Sequence, residues 1–227
     1  MRWRSVAAFA AVGYAVLSLT TVGLQAVVLS FRVVTPAELA ADVAAHQPLW
    51  LLAQAVLAGQ QVLLGPVAIG LLAVVDRRRP GVVLALTQIG AAAVMFALSA
   101  MVHGVFGAHL GGLGAADAGT RADTLRIAEV LHALGDTTYF AGTALTAIAM
   151  LLLWPALRAS PVAPSGLAAL GLAAAAAQIG EFGWFLVPVL GYLAPVGVLL
   201  QAGWFGWLGW CLWLRGVSSD SRDSPGQ

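Results

Sequence analysis

The chain of 227 residues is 60% hydrophobic and only 9% charged, with a mean hydropathy of +0.90, whereas a soluble domain carries about a quarter charged residues. That balance excludes an ordinary water-soluble globule and makes lipid the solvent for most of the chain. A net charge of +1 excludes a basic nucleic-acid-binding protein, and a single cysteine, Cys211, excludes an intrachain disulfide, a CxxC pair and a thiolate zinc cluster.

A spanning helix needs about 20 consecutive, mostly apolar residues. Six segments qualify, over about 6–31, 49–75, 82–106, 127–153, 166–190 and 193–214. The expected fold is an all-α, polytopic membrane bundle of six transmembrane helices in one domain, residues 1–217, with a disordered cytoplasmic tail over 218–227. Met1-Arg2-Trp3-Arg4 resembles a secretory n-region, but its apolar run exceeds the roughly 7–15 residues of a signal h-region, so it reads as an uncleaved first span. After this span, Thr35-Pro36-Ala37-Glu38 has the form of a capping box with proline at the first helical position. It predicts a short helix to about Gln47, lying on the membrane as a spacer or a lid.

The breaks between spans also hold the arginines. Arg2, Arg4, Arg77, Arg78, Arg79, Arg158, Arg215 and Arg222 fall on one side, and Arg32, Arg121 and Arg126 on the other, so the excess predicts that both termini are cytoplasmic. The chain has no lysine, and with its excess of Ala, Gly, Leu and Val it looks like the product of a high-GC bacterial genome of the actinobacterial kind. The expected location is therefore a bacterial plasma membrane.

Ionisable groups inside a bilayer are costly and mark functional sites unless a structural role explains them. The fourth span carries Glu129, His132 and Asp136 at spacings of three and four, with Tyr139 and Thr143 continuing the stripe inward. Glu181 in the fifth span, His103 in the third, Gln54 in the second, Gln60 and Gln61 deeper in it, Gln25 in the first and Gln201 in the sixth lie at comparable depths. If their faces meet, they form a polar cluster in the outer half of the bundle.

Three readings of that cluster follow: hydrogen bonds that fix helix packing, a protonatable relay or ligand pocket, and a metal site. Glu129-x-x-His132 has the spacing of bundle-core metal ligands, but a di-iron site needs a second such pair and there is none. No metal or cofactor is expected; a mononuclear ion would take its ligands from His103, His132, Asp136 and Glu181. No Gly-x-Ser-x-Gly is present, and Gly111-Gly112-Leu113-Gly114 lacks the strand and helix of a phosphate loop.

Gly203, Gly206 and Gly209 suggest one small-residue surface for a neighbouring helix. Trp204, Trp207, Trp210 and Trp213 recur every three residues and so wind around the sixth helix. Trp3, Trp154 and Trp213 suit one interfacial belt and Trp50 the other. Trp184 and Trp204 offer an aromatic cage for a cation, although packing explains them more simply.

Arg158-Ala159-Ser160-Pro161, the segment Gly166-Leu167-Ala168-Ala169-Leu170-Gly171 and the ending Trp207-Leu208-Gly209-Trp210-Cys211-Leu212-Trp213-Leu214-Arg215-Gly216 resemble a bacterial multi-pass membrane family known as a domain of unknown function (DUF4386). The resemblance covers the last third of the chain, with the Pro-x-x-Leu pattern displaced to Pro164-Ser165-Gly166-Leu167. It implies a six-helix membrane bundle and supplies no activity. The function expected from the residues is binding of a small hydrophobic molecule or lipid, or proton-coupled transport. The alternatives are a membrane enzyme acting on a lipid or isoprenoid, and a structural subunit; whether the chain is an enzyme stays open. The lipid bilayer is the expected partner.

Overall fold

A computed structural model describes residues 3–29, 36–111, 117–161, 163–185, 187, 189–190 and 193–220. Every helix and turn among them belongs to an all-helical chain: α1 (Trp3–Leu29), α2 (Pro36–Ala45), α3 (Gln47–Gln60), a 3-10 turn (Gln61–Leu63), α4 (Leu64–Leu71), α5 (Pro80–Leu110), α6 (Ala118–Arg158), α7 (Ser165–Glu181), a second 3-10 turn (Phe182–Phe185) and α8 (Leu193–Asp220). Among the described residues, five helical stretches are long and apolar enough to cross a membrane: Trp3–Leu29, Gln47–Leu71, Pro80–Leu110, Gly119–Arg158 and Leu193–Leu214. Large apolar side chains such as Val16, Val62, Met101 and Val130 point outward, as lipid contact requires.

Local chemistry sets the helix ends. Pro80 opens α5 after an extended Arg79, and an extended Pro164 precedes α7. Asp117 caps α6, accepting the Thr120 backbone N–H at 2.9 Å and the Thr120 hydroxyl at 3.0 Å. These bonds favour the ionised carboxyl and hold it below the usual range. Within the second span, the 3-10 turn at Gln61–Leu63 precedes Pro66. The ring of Pro66 has no N–H to donate and crowds the carbonyl four residues back, which tightens the turn there.

The bounds differ from those expected at five places; the second span, for one, ends its helix at Leu71, with a turn over 72–74, short of residue 75. Helix α6 begins at Ala118 instead of near Ile127; its 41 residues measure about 60 Å, twice the hydrocarbon thickness. The Asp117 cap lets the polar stretch with Arg121, Asp123 and Arg126 continue the helix outward. Helix α5 continues to Leu110, four residues beyond the expected end at 106. Helix α7 stops at Glu181, and its turn at Phe185, short of residue 190. Finally, α8 runs to Asp220, into the expected tail. The expected capping box rests on Thr35, which lies outside the described residues, although the short helix it predicts is there as α2.

The helices close into a ring in which each packs on the next: α1 on α8, α8 on α7, α7 on α6, α6 on α5, α5 on α3, and the α3–α4 span back on α1. Apolar packing concentrates at the two ends. One cluster joins Ala7, Leu71, Val82, Leu153, Leu167 and Leu208. The other joins Val28, Trp50, Phe106, Leu110 and Ala128 to Leu39, Ala40 and Val43 of α2. By burying that face, α2 closes its end of the bundle. The polar side chains lie between the two clusters.

Glycines set the closest approaches. Gly209 faces Val12 and Ala8 of α1, and Gly206 faces Ala15, but Gly203 faces Leu170 of α7. The three are therefore not one surface, because steps of three residues drift around a helix of 3.6 per turn.

Candidate functional site

The polar layer divides into two groups. The first is a central cleft. Every member of the ring lines it: Tyr14, Ser18, Thr21 and Gln25 from α1, Leu57 and Gln60 from α3, Phe96 from α5, Tyr139 and Thr143 from α6, Gln178 and Glu181 from α7, and Val198 and Gln201 from α8. Gln178 Nε2 donates to Gln201 Oε1 at 2.7 Å, and Gln201 Nε2 donates to the Tyr14 hydroxyl oxygen at 3.3 Å. Gln60 Oε1 and Gln178 Oε1 are buried without a hydrogen-bond partner among the described residues. Such orphaned acceptors are costly unless a ligand or water serves them. Glu181, 4% exposed, adds a carboxylate to the same wall.

The second group lies between α5 and α6. His103 Nε2 is 3.3 Å from Asp136 Oδ1, and His132 Nε2 is 3.4 Å from Asp136 Oδ2. The two imidazole rings are 5.7 Å apart. Helical spacing of four puts His132 and Asp136 on one face, and Gly135 between them lets the facing helix approach. A Cβ on Gly135 would stand 2.6 Å from the His103 ring. Ser99 Oγ donates to the Gly135 carbonyl at 2.9 Å and lies 3.2 Å from His103 Nδ1. On the other flank, Trp50 Nε1 donates to the His103 carbonyl at 2.8 Å.

The structure thus joins some of the residues singled out in the sequence and separates others. His103, His132 and Asp136 meet; Tyr139, Glu181 and Gln201 line the cleft instead. Glu181 is not among the side chains that could share an ion with the histidines. Glu129 is exposed and lines a groove beside α2 with His132 and Phe106. Gln54 is buried, but it lines neither group, and both its amide atoms lack a partner among the described residues.

Two aromatic expectations change. Trp50, expected in an interfacial belt, is covered by protein: it is 4% exposed and packs against His103 and Phe106. Trp204 is buried against Gly171 and Phe205, which leaves its ring faces to packing, while Trp207, Trp210 and Trp213 are exposed. The Trp184 side chain lies outside the described residues, and with it the proposed cage.

Tyr14 and Gln178 were missed. A signal for Tyr14 was available: Tyr14, Ser18, Thr21 and Gln25 recur at spacings of four, three and four, a continuous polar stripe on an otherwise apolar helix.

No family model, no curated protein and no solved structure matches this chain.

Proposed function

We propose that this is a six-span plasma-membrane protein that binds a small amphipathic molecule in its central cleft. The observation that carries this reading is that all members of the ring turn side chains into one cavity in which the buried amide oxygens of Gln60 and Gln178 lack partners among the described residues. An apolar wall of Val22, Leu57, Phe96 and Val198 suits a hydrocarbon body. Glu181, Gln60 and Gln178 suit a polar end that donates hydrogen bonds, such as a hydroxyl or an amine.

The test is to purify the protein in mild detergent, extract it, and compare co-purifying small molecules by mass spectrometry between wild type and Glu181→Gln. We expect a compound retained at near-stoichiometric yield by wild type and reduced roughly tenfold by the variant, since losing one charge-assisted bond of about 1.5–3 kcal/mol changes affinity at least that much. Equal small-molecule content in two folded proteins rejects the reading.

A packing role is favoured by one observation, the Gln178 to Gln201 to Tyr14 chain of hydrogen bonds. Under that reading Gln201→Leu lowers the melting temperature while Glu181→Gln changes nothing.

Six spans with both ends cytoplasmic fit the arrangement. Helix α7 with its 3-10 turn measures about 34 Å, enough for a core of about 30 Å, and it completes the ring between α6 and α8. The arginine excess supports the orientation, which would put the Arg77 to Arg79 turn inside and α2 outside. With Cys211 replaced by alanine, a cysteine at Ala122 should react with an impermeant maleimide on intact cells, and one at Arg78 only after lysis. The reverse pattern rejects the orientation. The likeness of the last third to the family of six-helix membrane proteins named above belongs to this same reading.

A further inference from the structure

We infer that His103, His132 and Asp136 form a mononuclear site for a divalent transition metal of the zinc class, separate from the central cleft. The two imidazoles and the carboxylate each offer a ligand atom, and these atoms lie within 4.8 Å of one another.

The distances favour an ion over hydrogen bonds. A charge-assisted N–H···O contact closes to about 2.7–2.9 Å, whereas the two His to Asp separations are 3.3 and 3.4 Å. Two ligands on one tetrahedral ion at about 2.05 Å must stand about 3.3 Å apart. The two gaps, one to each carboxylate oxygen, are close to that edge, and the three ligand atoms lie within 4.8 Å of one another.

Proton positions on His103 point the same way. Ser99 has one hydroxyl proton, and the Gly135 carbonyl, 2.9 Å away, can only accept it. The Ser99 contact with His103 Nδ1 at 3.2 Å then requires Nδ1–H to donate. In the neutral ring this leaves a lone pair on Nε2, facing the Asp136 carboxylate. Two electron-rich groups at that distance repel unless a cation lies between them, either a metal ion or the proton of an imidazolium. The same Nδ1 bond is the outer support that metal-bound histidines usually have, and it aims Nε2 at the ion.

The donor set also selects the ion. Imidazole with one carboxylate suits Zn²⁺, Fe²⁺, Ni²⁺ or Cu²⁺, and three protein ligands leave a position open for water or substrate. The packed helices leave the Asp136 side chain 38% and that of His132 29% uncovered.

The experiment uses the full chain in detergent, stripped with a chelator and titrated with Co²⁺ and then Zn²⁺. One Co²⁺ per chain should bind with visible ligand-field bands, and Zn²⁺ should displace it. His132→Ala should weaken binding about 100-fold or more, exceeding the roughly 10–100-fold effect of an outer partner. Gly135→Ala keeps all three ligands but pushes a methyl group onto the His103 ring, and should weaken binding about tenfold or more. Far-UV circular dichroism selects the variants that stay folded; Asp136→Asn replaces any that does not. Substoichiometric Co²⁺ and Zn²⁺ uptake by wild type, or unchanged binding by folded His132→Ala, overturns the site. In that case the three residues are a hydrogen-bonded imidazolium and carboxylate cluster.

Discussion

Replacing Trp50 with alanine should destabilise the bundle by about 2–3 kcal/mol, measured by unfolding in mixed detergent micelles and followed by circular dichroism. Truncating a buried tryptophan costs about 3–5 kcal/mol in soluble proteins. In lipid the cost falls below that range, because apolar contact there brings packing without transfer from water. The indole contributes at several places. It donates to the His103 carbonyl at 2.8 Å and sets its edge against His103 and Phe106, at 5.9 and 6.1 Å between centroids. It also fills the space that Gly107 leaves; a Cβ there would lie 2.4 Å from the ring. Trp50→Phe retains most of the volume and removes the hydrogen bond, so it should cost about 1 kcal/mol. A loss under about 0.5 kcal/mol for the alanine variant would mean that α3 does not pack on α5 as described.

Gly70→Ala should cost about 1–3 kcal/mol, the usual range for inserting a methylene into a filled interior. Gly70 stands where α4, α1 and α8 meet. An added Cβ falls 2.5 Å from Ala7 Cβ and 3.0 Å from Leu212 Cδ1. The first contact is the more severe, because Ala7 Cβ sits rigidly on its backbone while the end of Leu212 can rotate. The compensating variant Ala7→Gly in the Gly70→Ala background should therefore recover most of the loss, a coupling that a double-mutant cycle reads directly. Equal losses in both backgrounds would mean that α1 and α4 are not in contact at this level.

Both predictions depend on which helix faces meet, and there the sequence was least informative. Trp50 looked interfacial because tryptophan is enriched at membrane boundaries; the partner that buries it is Gly107, 57 positions further along the chain. The stripe from Glu129 to Thr143 was legible as a stripe, since helical spacing is a local property. Its division was not. Gly135 brings His103 to His132 and Asp136, whereas the next turn inward carries Tyr139 and Thr143 to the cleft with residues of α1, α7 and α8. Glu129 and Asp136, seven residues apart on the same helix, end in different surroundings.

Taken alone, the amino-acid order determined that the chain is helical, that several of its helices are long and apolar enough to cross a membrane, and which few side chains would be costly there. Those are sums over neighbours along the chain: hydropathy adds residue by residue, and a helix satisfies its own backbone without outside partners. Only the tertiary structure decided that α1 contributes Tyr14 to the cleft, that His103 faces Asp136 across Gly135, and that Glu181 stays with the glutamines. In a bilayer, apolar surfaces are nearly interchangeable as partners, so helix pairing depends on close steric fit at small residues. Such fit is a property of two distant segments at once, and neither segment carries it by itself.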